Sequence, residues 1–232
     1  MAYQILKPER AKEIKGVLLD MDGVVLDSET LYTRFWREAA AHFGYEMSQE
    51  QALGLRSANA ILGQKHLESC FGKGVDYGKM RKARIEKMDA YIAQNGVAAK
   101  KGIFELLDLL KTLKIPCAIA TSSPLERAKA HLSPLGLYEK FDRICSVYEV
   151  ERGKPYPDIY LYGAKCLGVP IQNCLALEDS PTGLQSAVRA DSMAIFVSDQ
   201  DEANTYVLEH AFAKTESLLD VCALIQAQMA KE

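Results

Sequence analysis

The chain lacks any apolar run that approaches the length of a membrane span, and Met1 to Arg10 hold no apolar core of signal-peptide length. A cytoplasmic protein with no membrane partner is the expectation. Net charge is nearly absent, at −3 over 232 residues, so nothing draws the whole molecule to nucleic acid or to an anionic surface. There is no Cys-x-x-Cys pair. Cys70, Cys117, Cys145, Cys166, Cys174 and Cys222 are scattered, and packing as small hydrophobes is expected for all six. His42, His66, His131 and His210 fall in helical patterns with no context for a catalytic thiol pair. Repeats, low-complexity tracts and long linkers are also missing. What is present, 48% hydrophobic and 25% charged residues, suits one large domain, or a core with a small second one. Nothing demands more than a monomer.

The stretch Gly16-Val17-Leu18-Leu19-Asp20-Met21-Asp22-Gly23 organises the rest. Its apolar half suits a strand buried on both faces, and the run stops at an acid. In extended backbone Asp20 and Asp22 point to one side and Met21 to the other, after which Gly23 lets the chain turn away. Two carboxylates roughly 5 Å apart repel by about 3 kcal/mol at an effective dielectric near 20, more than two pKa units. Either one holds a proton or a cation sits between them. Oxygen ligands suit a hard ion, Mg²⁺ before Ca²⁺ where a phosphate completes the shell. A strand end with solvated turn acids is the plainer explanation, and three further segments decide against it.

Leu31, Phe35, Ala39 and Phe43 recur at helical spacing up to Gly44, and from there to about Val97 the chain reads as helices broken at Gly54, Gly63, Gly72, Gly74 and Gly78. Residues 65–87 carry a local net charge of +4, as a solvated helix face or a surface receiving an anionic substrate. From Lys101 the rhythm changes to alternating helix and strand. Helices are expected at Ile103 to Leu113, from Pro124, at Ile159 to Leu167, from Pro181 and at Glu216 to Gln228. Strands are expected at Ile115 to Ala120, Ile144 to Ser146, Cys174 to Leu177 and Met193 to Val197. This predicts an α/β protein, a doubly wound, Rossmann-like parallel sheet with an all-helical cap domain inserted after the first strand. The core is expected to span 1–30 and 99–232, the cap 31–98.

Ligands of such sheets bind beyond the carboxyl ends of the strands, and polar residues stand where each apolar run stops. Thr121-Ser122-Ser123 precedes Pro124, with Ser123 expected as N-cap and Glu126 three residues on. The helix N-terminus and the Thr121 and Ser122 hydroxyls would hold an anion. Two prolines stiffen Lys154 in Gly153-Lys154-Pro155-Tyr156-Pro157-Asp158. Glu178 and Asp179 end the next strand, Asp179 expected at a metal with Glu178 in support, before a helix started by Ser180 and Pro181.

In this order the four segments closely resemble the haloacid dehalogenase superfamily of phosphohydrolases, in the β-phosphoglucomutase-like subgroup with a small helical cap. The likeness covers the core, and in the cap rests on placement and helical character. It implies that Asp20 attacks phosphorus and becomes an aspartyl-phosphate, while Asp22 protonates the leaving oxygen and then activates water. It implies phosphate contacts from Thr121, Ser122 and Lys154. It also implies Mg²⁺ on Asp20, the Asp22 backbone carbonyl and Asp179, with Glu178 beside them. The dehalogenase and phosphonate-cleaving branches lack an acid at Asp22. The mutase branch has a histidine twelve residues after the nucleophile, where this chain has Tyr32, and an arginine after Gly-x-x, where Gly54-Leu55-Arg56-Ser57 has it one position earlier. A phosphatase for sugar phosphates or similar small metabolites is therefore expected, with mutase as the alternative and a phospho-acceptor signalling domain as the non-enzymatic one. Specificity is expected from Tyr32, Arg56, Arg84 and Lys87.

Overall fold

The structure is a computed structural model that describes residues 3–56, 58, 60–198 and 203–230. Two compact units form, one from residues 1–27 and 98–232, the other from 28–97.

The larger unit is built on a seven-stranded sheet: β1 (Tyr3–Ile5), β2 (Gly16–Leu19), β3 (Cys117–Thr121), β4 (Arg143–Ser146), β5 (Cys174–Glu178), β6 (Met193–Val197) and β7 (Ala213–Thr215). Their order is β1-β7-β6-β5-β2-β3-β4, with β1 antiparallel to β7 and every other pair parallel. Every residue of β2, β3, β5 and β6 is buried whichever way it points, so both faces of the sheet are covered. The expected α/β architecture is what forms, with one correction. β1 precedes β2, so the helical unit follows the second strand in the chain. β1 and β7 are three residues each, too short for an alternating pattern to declare itself.

The smaller unit holds α1 (Glu29–His42), α2 (Gln49–Leu53), α3 (Ala60–Phe71) and α4 (Tyr77–Asn95). Trp36 stacks on Tyr77 at 5.6 Å between centroids inside a core that includes Ala39, Leu55, Leu67 and Met80. Gly63 and Gly78, read above as breaks, lie inside α3 and α4. Gly63 is there because the Tyr77 ring lies where a Cβ would stand. Phe43 ends 40% exposed just past α1 and adds little to the apolar stripe.

The core helices are α5 (Ile103–Leu113), α6 (Leu125–Leu132), α7 (Asp158–Leu167), α8 (Pro181–Arg189), α9 (Thr205–His210) and α10 (Leu218–Met229). α5 buries Ile103, Leu106, Leu107 and Leu110 at helical spacing and packs against α10. α7 lies along β2, β3 and β4, and α8 along β5 and β6. At Gly163 a Cβ would meet Leu18 Cδ2 at 3.0 Å, so a glycine lets α7 settle close to β2. The face of α7 that carries Ile159 and Tyr160 is thereby pressed onto the strands.

Cys117, Cys145 and Cys174 are buried in β3, β4 and β5 as expected, whereas Cys166 on α7 is exposed, contrary to the core position expected of all six. Its polar neighbour Lys165 marks the solvent side of that helix. Among the described residues no helix is long and apolar enough to cross a membrane.

Candidate active site

β2 delivers the first acid. Asp20 still donates its N–H to Leu177 O of β5 at 3.0 Å, and the chain then folds tightly, with Val25 and Leu26 N–H both on Met21 O. Met21 is fully buried, consistent with a side chain turned opposite to the two aspartates. Gly23 takes φ +87°, a left-handed conformation that glycine adopts without strain, and the Asp179 carboxylate occupies the place of its missing Cβ. That absence lets the ends of β2 and β5 bring their acids together.

Lys154 reaches the same point from the loop before α7. Its Nζ lies 2.5 Å from Asp20 Oδ1, 2.6 Å from Glu178 Oε1 and 3.0 Å from Ala120 O. An ammonium has three N–H bonds, and all three are used. The loop is tied at several points. Arg152 forks onto Asp158 at 3.1 and 3.0 Å, Ser186 Oγ donates to Tyr156 O, and Arg189 Nη1 donates to Pro155 O. This is how the proline-stiffened segment aims a lysine inward.

Glu178, the last residue of β5, is fully buried. Its Oε1 also accepts from Tyr160 OH at 2.5 Å and its Oε2 from Ser180 Oγ at 3.3 Å, and its carboxylate fills the space of a missing Cβ at Gly183. Asp179 is bent out of the strand, so the alternation that separates neighbouring side chains ends there. Carboxylate oxygens of Asp20, Glu178 and Asp179 all lie within 4.8 Å of one another. Burial pushes the Asp20 carboxyl up to about 7; Lys154 opposes this, while Glu178 and Asp22 add to it. For Lys154 burial alone disfavours charge, but Asp20 and Glu178 outweigh it and hold the ammonium above its ordinary value. The donor set is hard oxygen with negative charge in excess, which fits a divalent cation such as Mg²⁺.

At the end of β3, Thr121 is buried and its Oγ1 accepts from Ser123 N at 3.0 Å, while Ser122 is exposed. The helix start differs from the expectation. α6 begins at Leu125 with Pro124 as N-cap and no side-chain cap, and Ser123 Oγ instead faces Asp22 Oδ2 at 3.4 Å. Pro124 is extended, with ψ 151°, so it stands outside the helix and moves the cap one residue along. The Ser123 carbonyl accepts from the buried Ser146 Oγ at 2.7 Å, which fixes the turn from β4.

The model of the haloacid dehalogenase-like hydrolases matches residues 14–191. The chain belongs to that family. Among its relatives, hexitol phosphatase A of Escherichia coli is 34% identical over 187 residues, 79% of this chain and 83% of that protein. Fructose-1-phosphate phosphatase YqaB of the same species is 28% identical over 190 residues, 78% of this chain and 95% of that one. A β-phosphoglucomutase of Clostridium difficile superposes with a TM-score of 0.74 at 23% identity over 94% of this chain and 98% of that one, a likeness of fold.

In this hydrolase three of the expected specificity residues, Tyr32, Arg56 and Arg84, are engaged inside the helical unit. Arg56 Nε pairs with Glu29 Oε2 at 2.7 Å, with both side chains mostly buried. Arg84 is buried, its guanidinium 4.1 Å from the Tyr32 ring centroid and 5.6 Å from that of Trp36. Lys87 is half-buried. Ser57, the last residue of the Gly54 stretch, lies outside the described residues. In the core, sequence reasoning missed Tyr160 and the facing of Ser123 toward Asp22. One signal was available for Tyr160: a phenol on the apolar face of a helix has to find a hydrogen-bond partner.

Proposed function

We propose that this hydrolase is a phosphatase that cleaves small phosphorylated carbohydrates through a phosphoryl group carried transiently on Asp20. The observation that carries the proposal is the meeting of Lys154 Nζ, Asp20 and Glu178 at one strand-end site, 2.5 and 2.6 Å apart. The hexitol and fructose-1-phosphate phosphatases among the relatives support the substrate class.

Asp20 is the nucleophile. Its carboxylate oxygen bonds to phosphorus as the phosphorus–oxygen bond to the sugar breaks, and the sugar oxygen takes a proton from Asp22. Water then gives its proton to Asp22 and bonds to phosphorus, releasing Asp20 and inorganic phosphate. Ser123, 3.4 Å from Asp22, holds that side chain at the site. Lys154 supplies positive charge beside the attacking oxygen, and Thr121, Ser122 and the first N–H groups of α6 receive the phosphoryl oxygens. Asp20, Asp179 and the Asp22 carbonyl, with Glu178 close by, would hold Mg²⁺, which when bound neutralises phosphoryl charge.

Tyr32 argues against a mutase: at the place of the mutase histidine it carries a phenol beneath the Arg84 guanidinium. The test is phosphate release from a panel of hexose, pentose and hexitol phosphates and nucleotides, with and without EDTA, including both phosphoglucose isomers. EDTA-sensitive release from sugar phosphates is expected. Interconversion of the isomers without release would establish the mutase instead.

A further inference from the structure

Glu178 is held by a second donor that the proposed chemistry does not use. Tyr160 lies on α7, fully buried, and its OH donates to Glu178 Oε1 at 2.5 Å. That same oxygen lies 2.6 Å from Lys154 Nζ. The Tyr160 ring is also close to the lysine, with Nζ 5.3 Å from its centroid. The opposite oxygen, Oε2, accepts a longer bond from Ser180 Oγ at 3.3 Å.

We propose that Tyr160 is a positioning residue for this reaction: its phenol locks the Glu178 carboxylate toward Lys154 and so keeps the lysine at Asp20. The inference rests on the phosphatase reading above. Lys154 divides its three N–H bonds among Asp20, Glu178 and a backbone carbonyl, so its place is only as well defined as those acceptors. Asp20 and the Ala120 carbonyl sit at strand ends. Glu178 has a long side chain, and without a second donor its carboxylate could turn toward the neighbouring acids and a cation. A tyrosine suits the task because it donates once, is neutral, and brings no second positive charge to compete with the lysine. The close approach of α7 to β2 at Gly163, one turn away on the same face, places the ring within reach.

Tyr160→Phe keeps the ring and removes only the donor. A hydrogen bond to a charged group is worth about tenfold or more in rate when it is needed in the transition state. In the full-length protein, Tyr160→Phe is expected to lower kcat for phosphate release at least about tenfold while KM stays within about threefold. Tyr160→Leu, which removes the ring as well, should lose at least as much, with kcat taken per mole of folded protein for both variants. Combined with Glu178→Gln, Tyr160→Phe should add no further loss, because both act through one contact. Tyr162→Phe is the control: Tyr162 OH donates to Glu149 at 3.0 Å rather than to Glu178, so kcat should stay within about twofold of wild type. A purely structural role would lower the unfolding midpoint and leave the kcat of the folded protein in place. The proposal is overturned by Tyr160→Phe with wild-type kcat, by a rise in KM alone, or by losses that multiply with Glu178→Gln. A wild-type protein that releases no phosphate from any ester overturns the phosphatase reading itself, and this inference with it.

Discussion

Lys154 Nζ rests 2.5 Å from Asp20 Oδ1, although 134 positions of sequence separate them. Glu178 joins them at 2.6 Å, so one ammonium is shared by two carboxylates from different strands. Removing one partner of a buried charge pair leaves the others uncompensated, which is more costly than losing an exposed pair.

Lys154→Met should therefore reduce phosphate release at least about a hundredfold and lower stability by about 3 kcal/mol. Urea unfolding monitored by circular dichroism, beside a phosphate-release assay, measures both. A stability change under about 1 kcal/mol would mean that water screens the cluster.

Asp20→Asn should abolish phosphate release while leaving the unfolding transition cooperative, since an amide of the same size cannot form the phosphoryl bond. Asp22→Asn should still let Asp20 be phosphorylated slowly but block turnover. Intact-mass measurement after substrate addition would then show one added PO₃ group on the Asp22 variant and none on the Asp20 variant. An adduct on neither would undo this division of roles, and one that persists on the wild type for many seconds would favour a signalling acceptor.

The strands of the sheet interior could be read from the chain because burial on both faces leaves unbroken apolar runs, each ending in a polar residue. Asp20, Thr121, Glu178 and Asp179 stand at those ends for that reason, and Lys154 was marked by its two prolines. β1 and β7 were silent: three residues are too few to carry a period. The cap of α6 was misread because Ser-Pro fits two arrangements, and only the extended ψ of Pro124 separates them. Tyr160 was missed for another reason. Its partner is 18 positions away on a different element, and no local pattern links them.

The cysteines give a pH prediction. Burial pushes the Cys117, Cys145 and Cys174 thiols up to about 12, against an ordinary value of 9.0. A raised thiol value means that the folded state resists forming thiolate, so it contributes stability below pH 9 that is lost as pH climbs toward 12. At pH 8 the exposed Cys166 should react first with a thiol reagent, and these three only after unfolding. Peptide mapping of the labelled native protein checks the order. Prompt labelling of Cys174, in the strand that carries Glu178, would mean that β5 opens locally.

Gly183 offers the sharpest separation of stability from function. It is the third residue of α8, where alanine would ordinarily strengthen a helix by about 1 kcal/mol. Here the Glu178 carboxylate occupies the space an alanine methyl needs, and that carboxylate is held by Lys154, Tyr160 and Ser180. The methyl must move either the helix or the acid. Gly183→Ala is expected to lower kcat about tenfold or more and to leave the unfolding midpoint unchanged or a few degrees lower, against the direction of helix propensity. A variant with wild-type kcat and a raised midpoint would show that Glu178 can leave its place without consequence, and that the tie between β5 and Lys154 is not what sets the rate.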